Sequence, residues 1–260
     1  MNRSPSFSTV ILAGGIADDD FKKASGTEIR AMAPFRDSTM LDHVVRAITA
    51  SAFKPDVGGT IVIGNITESS RYKVIGDSGT FTGNLAAGLR EVSSRDLTLV
   101  STADIPFITT DGVNSFLSEA LKLMEDEETV LVWPVVPVQL CYEKYPGIKR
   151  TAIKLHEGML TGGNVGLVRP QRLLDCLPAI NKAFEARKSP VKLAGILGPT
   201  VIARLLISQA VAPSLLTIPF LEAAVSRLIG GKARAVICNL PEIATDIDRA
   251  QDYVLVKGTS

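Results

Sequence analysis

Asp104 is the acid whose setting says most about chemistry. It directly follows an apolar run over 97–101, through Thr102 and Ala103. A run of that composition reads as a strand buried on both faces, so the carboxylate emerges at the strand's carboxyl end. An acid there is placed to hold a hard cation. Mg²⁺ takes one or two protein carboxylates and completes its shell with water and phosphate oxygens. The plainer alternative is a cap for the next helix, but Thr109 and Thr110 stand nearer to it. Asp246 and Asp248 alternate, so in an extended segment both point the same way. Either can join Asp104 on the cation, with Asp248 favoured, although Asp248 can instead cap a helix beginning at Arg249. Arg30 opens the segment Ala31-Met32-Ala33-Pro34-Phe35. A guanidinium fixed there suits bidentate grip on phosphate oxygens, whereas the alternative is a solvated surface arginine. Lys22 and Lys23 are further basic candidates.

Three glycine-bearing stretches accompany these charges. Leu12-Ala13-Gly14-Gly15 ends the apolar run that begins at Thr9. Glycine lets the backbone turn sharply and puts no Cβ between it and a ligand. Buried strand, glycine turn and helix is how open α/β folds place ligands at the carboxyl ends of strands. Gly83-Asn84 stands at a helix start, where Asn84 can read a base edge or act as the N-cap. Gly162-Gly163-Asn164 repeats the theme of close backbone approach beside an amide, unless it marks a β-bulge.

The elements that must position these residues are legible from periodicity. Strands are predicted over 9–12, 60–63, 71–75, 97–101, 130–138, 150–156, 159–168 and 233–238, the sixth and seventh joined by a hairpin turn at Glu157-Gly158. Helices are predicted over 39–50, with Met40, Leu41, Val44, Val45 and Ile48 inward, and over 84–92 and 111–124. Ser38 or Thr39 caps the first of these. Residues 170–230 read as a helical block, with helices over 172–186, 193–208 and 214–229 punctuated by Pro190, Pro213 and Gly230-Gly231. The stretch 201–211 is apolar nearly all round and must be covered by something, such as a second copy in a homodimer. Residues 16–29 show no apolar period and read as a mobile polar loop over a strand end. Arg150 and Lys154 read as a solvated strand face. Strands alternating with helices imply a mostly parallel sheet in one α/β domain over 1–260, carrying a helical insertion at about 170–230.

Composition removes other classes. The 260-residue chain is 46% hydrophobic, enough for a real core. It carries 28 basic and 27 acidic residues, so charge argues for neither nucleic acid nor membrane. Cys141, Cys176 and Cys238 are far apart and fit neither a disulfide framework nor a zinc site. With only two histidines, His43 and His156, no histidine metal cluster forms, and His43 reads as structural within its helix. The N-terminus has no apolar region of signal-peptide length, so the expected location is the cytoplasm.

Together the motifs resemble the nucleotidyltransferases similar to molybdenum-cofactor guanylyltransferase. Leu12-Ala13-Gly14-Gly15, Arg30 to Phe35, Leu41-Asp42-His43-Val44, Gly83 to Leu89, Ala103-Asp104-Ile105-Pro106, Gly162-Gly163-Asn164 and Asp246 to Asp252 fall in the family's order. The resemblance implies a three-layer α/β/α, Rossmann-like nucleotide-diphospho-sugar transferase fold. It implies Mg²⁺-dependent transfer of a nucleotidyl group from an NTP to a small phosphorylated acceptor. Leu12, Ala13, Gly14, Gly15, Gly83, Asn84 and Ala103 would hold the nucleotide. Asp104, with Asp248 or Asp246, would bind metal, and Gly163 and Asn164 would face the acceptor. Arg30 stands where the family has a lysine on the phosphates, and the long acidic loop after Gly15 departs from the family's pattern. A glycosyltransferase of the same fold is disfavoured by Thr102, which stands where such enzymes carry the first acid of an Asp-x-Asp. A non-catalytic nucleotide-binding homologue is the other alternative.

Overall fold

The structure, a computed structural model, describes residues 7–53, 55–56, 59–186, 195–196, 198–210 and 215–257. The chain enters through β1 (Phe7–Leu12), which sends Phe7 and Ile11 to one apolar face and Val10 to the other. Burial on both faces is why this stretch is continuously apolar.

After the glycine turn comes a helix, α1 (Asp19–Ser25), where the sequence pattern predicts a mobile loop. Two local features and one anchor make it. Asp18 accepts the Phe21 amide at 2.8 Å as N-cap, and Gly26, at φ 76°, closes the helix in the left-handed region. Phe21 is fully buried, its ring 5.1 Å from that of Tyr253. One anchor in seven residues leaves no apolar period to read.

The two-stranded ribbon of β2 (Pro34–Phe35) and β3 (Ser38–Thr39) leads into α2 (Met40–Thr49), capped by Thr39 and burying the predicted stripe. Then follow β4 (Thr60–Ile63), β5 (Lys73–Ile75), α3 (Phe81–Glu91), β6 (Leu97–Thr102) and α4 (Thr110–Met124). Thr109 caps α4, which leaves Asp104 without that role. Thr80 caps α3, so Asn84 lies inside the first turn and is not the cap.

β7 (Thr129–Pro137) runs into a short helix, α5 (Val138–Lys144), that periodicity does not announce. β8 (Ile153–Leu155) and β9 (Gly158–Gly162) form the predicted hairpin. The single strand expected over 159–168 is two strands, β9 and β10 (Val165–Val168), broken at Gly163-Asn164. There the Gly163 amide bonds Pro134 O at 2.9 Å and the Asn164 amide bonds Ile243 O at 2.8 Å. The chain continues through α6 (Pro170–Ala186), α7 (Pro199–Ala210), α8 (Ile218–Ile229), β11 (Lys232–Ile237) and α9 (Ala250–Lys257). Pro190, Pro213 and the predicted helix starts at 193 and 214 lie outside the described residues. In α7, Val201 and Ile202 are buried while Leu206 and Ile207 are exposed.

The sheet order is β5-β4-β1-β6-β10-β7-β9-β8, with β11 beside β7. β10 and β9 run against all the others. Helices α2 and α4 cover one face. Helices α3, α6 and α8 cover the other, so the helical block forms part of an outer layer. Helices α1 and α9 pack on each other around Phe21 and Tyr253.

Removing the anchor of α1 tests this account. Phe21→Ala should lower stability in urea denaturation by about 3 kcal/mol, the usual cost of emptying a buried phenylalanine site. Hydrogen exchange should show the loss first as faster exchange across Asp19–Ser25.

Candidate active site

The carboxyl ends of β1 and β6 form the floor of a cleft of ≈ 260 Å³. Main-chain bonds continue each strand one residue further. The Ala13 amide donates to Ile63 O at 2.7 Å and the Ala103 amide to Leu12 O at 3.0 Å. Ala13 and Ala103 are buried in the core, so they shape the floor without lining the cleft, whereas Leu12, Gly14 and Gly15 line it. The two glycines are demanded by neighbouring side chains. A Cβ on Gly14 would come within 2.6 Å of Asp77 Oδ1, and one on Gly15 within 2.7 Å of Arg30 Nη2.

Arg30 also lines the cleft. Its amide donates to Gly15 O at 2.9 Å, and the Ala17 amide donates to Glu28 O at 2.8 Å. These bonds close the segment carrying α1 into a loop whose two ends sit side by side. The guanidinium is held at one end, where Nη1 donates to the Asp248 carbonyl at 3.3 Å. Its Nε is buried with no hydrogen-bond partner among the described residues. Lys22 pairs with Glu28 at 3.7 Å and Lys23 with Asp20 at 3.9 Å, and neither lines the cleft.

Asp104 closes the cleft opposite the glycine turn. Its Oδ1 is buried and has no hydrogen-bond partner among the described residues. Burial pushes this carboxyl above its ordinary value of 3.8, against the pull of Thr102 and of the Arg30 charge, and Asp248 adds to the rise. The Asp104 carbonyl accepts the Ile247 amide at 2.8 Å, so the segment bearing Asp246 and Asp248 docks directly on it. The two acids then part. Asp246 is ion-paired with Arg150 and takes a 3.5 Å bond from Asn164 Nδ2, and neither it nor Asp248 lines the cleft. Asp248 is about half exposed, lies 3.6 Å from the Arg249 guanidinium and raises the pKa of Asp104. No group of three or more His, Cys, Asp or Glu poised for a metal occurs among the described residues.

Asn84 lines the cleft, but its amide is engaged. Nδ2 donates to Asp77 Oδ1 at 2.6 Å, and Oδ1 accepts the Ser78 amide at 2.7 Å. It shapes the 77–79 turn, with one of its two Nδ2 hydrogens engaged by Asp77. Gly83 does not line the cleft, because the place of its Cβ is taken by the Ser78 hydroxyl.

A family model of the MobA-like NTP transferase domain matches residues 9–174. The chain belongs to that family. No curated protein matches it. A hypothetical transferase from Thermus thermophilus is similar at 27% identity and TM-score 0.77, over 95% of this chain and 99% of that one. Two further structures share the fold. The 2-C-methyl-D-erythritol 4-phosphate cytidylyltransferase of Thermus thermophilus is 15% identical at TM-score 0.53, over 99% of this chain and 98% of that one. A CMP:2-keto-3-deoxy-manno-octonic acid synthetase complexed with CTP is 13% identical at TM-score 0.53, over 94% of this chain and 93% of that one.

This MobA-like domain carries a second recess that sequence reasoning missed. A space of ≈ 390 Å³ is lined by Lys149, Arg150, Thr151, Asn164, Asp246, Asp248 and Arg249. Arg150 is not on a solvated strand face. Its side chain is only 12% exposed, and its Nε is buried without a partner among the described residues. Burial draws its pKa below the ordinary value, with Cys141 and the carboxylates of Asp248 and Asp104 acting against that. Lys149-Arg150 lies outside any strand, so no sequence period marks it. Asn164 joins this recess to the sheet, its carbonyl accepting the Thr102 amide at 3.0 Å.

The parting of the two acids is measurable. Asp246→Asn should destabilise the fold by about 3 kcal/mol, since it leaves a buried guanidinium unpaired. Asp248→Asn, at an exposed position, should shift urea stability by less than about 0.5 kcal/mol.

Proposed function

We propose that this chain is a nucleotidyltransferase that moves NMP from an NTP to a small phosphorylated acceptor and releases pyrophosphate. The observation that carries the reading is the buried Asp104 oxygen, without a hydrogen-bond partner among the described residues, in one cleft with Arg30 at the glycine turn. Family membership supports the reaction class. Asp104 and Asp248 would hold Mg²⁺, which when bound neutralises phosphate charge. The Gly14-Gly15 turn seats the triphosphate, and Arg30 stabilises charge developing on the leaving pyrophosphate. The acceptor enters beside Gly163 and Asn164, where Lys149 and Arg150 attract its phosphate. An ionised phosphate oxygen attacks the α-phosphorus and needs no general base. Catalysis is then positioning plus charge neutralisation. A cytoplasmic setting belongs to this proposal, and no helix among the described residues is long and apolar enough to cross a membrane.

Pyrophosphate release from the four NTPs with a panel of phosphorylated acceptors tests the reading. Turnover should require both substrates and Mg²⁺. Arg30→Ala should lower kcat by about 10²-fold, as losing one preorganised donor does, and Arg30→Lys should recover part of it. Lys22→Ala and Lys23→Ala should stay near wild type, because both side chains are paired outside the cleft.

Asp104 also sets a pH dependence. A carboxyl raised by burial contributes stability below its unfolded pKa of 3.8 and loses that contribution as pH rises through its folded value. Asp104→Asn should therefore raise Tm at neutral pH without cation, and the gain should vanish in acid. Mg²⁺ with NTP should raise the Tm of wild type but not of the variant, as read by differential scanning fluorimetry.

A further inference from the structure

Strand β10 is paired on both sides, with β6 and with β7, yet its second residue is Gly166. Glycine in a strand interior packs no side chain and often marks the place where a ligand approaches closely. No described residue demands it. A Cβ at Gly166 would meet its nearest atoms, Leu131 Cδ1 and Val132 O, at 3.6 Å, an ordinary contact, and its backbone is not left-handed. The missing side chain helps open a cavity of ≈ 320 Å³ between the sheet and helices α3 and α6. Its walls include Leu85, Val100, Leu131, Trp133, Leu173 and Ile180. Ser101, Thr102 and Asn164 are the polar side chains of its lining, and the rest is apolar or glycine. The volume is within the range of small-molecule pockets, about 300–1,000 Å³.

The cavity is continuous with the site. It shares Leu12, Phe81 and Thr102 with the cleft above β1 and β6, and Asn164 with the second recess. We propose that it receives an apolar body of the acceptor. The substrate is then amphipathic, with its phosphate drawn by Lys149 and Arg150 and a hydrocarbon chain or unsaturated ring lying against Trp133 and Gly166. This rests on the nucleotidyl-transfer reading and adds the chemical class of acceptor to it.

Trp133 is the sole tryptophan of the chain, so its fluorescence reports on this cavity. The experiment titrates the full chain, with Mg²⁺ and a non-hydrolysable NTP analogue, with straight-chain alkyl phosphates from methyl to octyl and with phenyl phosphate. Each added methylene should tighten binding by about threefold to fourfold until the cavity is full, as burial of a methylene does. Trp133 emission should change more for the longer chains. Gly166→Val should flatten the chain-length dependence, and the smaller Gly166→Ala should weaken it in part, with NTP affinity unchanged in both. Flat affinity across the series in wild type that binds the nucleotide would overturn the proposal and leave the nucleotidyl-transfer reading standing. Loss of NTP affinity in the Gly166 variants would overturn it in another way, by placing the base in the cavity. Chain-length dependence in a protein that binds no NTP would count against the reaction itself, and the cavity would then hold an apolar ligand of another kind.

Discussion

One main-chain hydrogen bond ties the site together. The Ile247 amide donates to the Asp104 carbonyl at 2.8 Å, and Ile247 is fully buried. A buried amide must find an acceptor, so the docking of this segment is an obligation of folding as well as a feature of the site. From it follow the positions of the flanking acids. Asp246 reaches Arg150 and Asn164, and Asp248 offers its carbonyl to Arg30. Two strand-end loops and the C-terminal segment thus become one surface. Asp246 and Asp248 flank that joint, Arg150 pairs with the first and Arg30 hydrogen-bonds the carbonyl of the second.

The segment after Gly15 leaves the site and returns to it. The chain builds α1 there, which draws its stability from Phe21 against Tyr253 and so from the far end of the sequence. The ends of this segment are held by main-chain bonds at Gly15 and Ala17. Arg30 thereby returns to the glycine turn as if the intervening residues were absent. Its guanidinium lies so close over Gly15 that no other residue fits there without a shift. The acidic residues 18–20 serve the helix: Asp18 caps it, and Asp19 and Asp20 fall in its first turn, where the helix dipole favours negative charge.

Along the carboxyl edge, charge and polarity change in sequence. The cleft holds a buried carboxylate and an arginine, the neighbouring recess carries charges of both signs, and the cavity behind both is mostly apolar. The break between β9 and β10 creates this order. By leaving β7's upper end to β9 and carrying β10 in beside β6, it puts Gly163 and Asn164 at the meeting point of recess and cavity.

Periodicity by itself determined the central strands, α2 and α4 with their buried stripes and threonine caps, and the location of Asp104 and the glycine pair at strand ends. These are local consequences of alternation, 3.6-residue spacing and capping, and they need no knowledge of distant residues. The order of the motifs was enough to suggest the family. What tertiary structure alone decided are the properties that depend on partners far along the chain. Residues 16–29 hold a helix because Tyr253 receives Phe21. Asn84 is held by Asp77 and Ser78 inside the first turn of α3 and is not its cap. Asp246 and Asp248, indistinguishable by spacing, separate because Arg150 is buried against one of them. Arg150 itself leaves no mark in the sequence. A basic residue beside another reads as solvated until the fold removes its water and supplies a carboxylate.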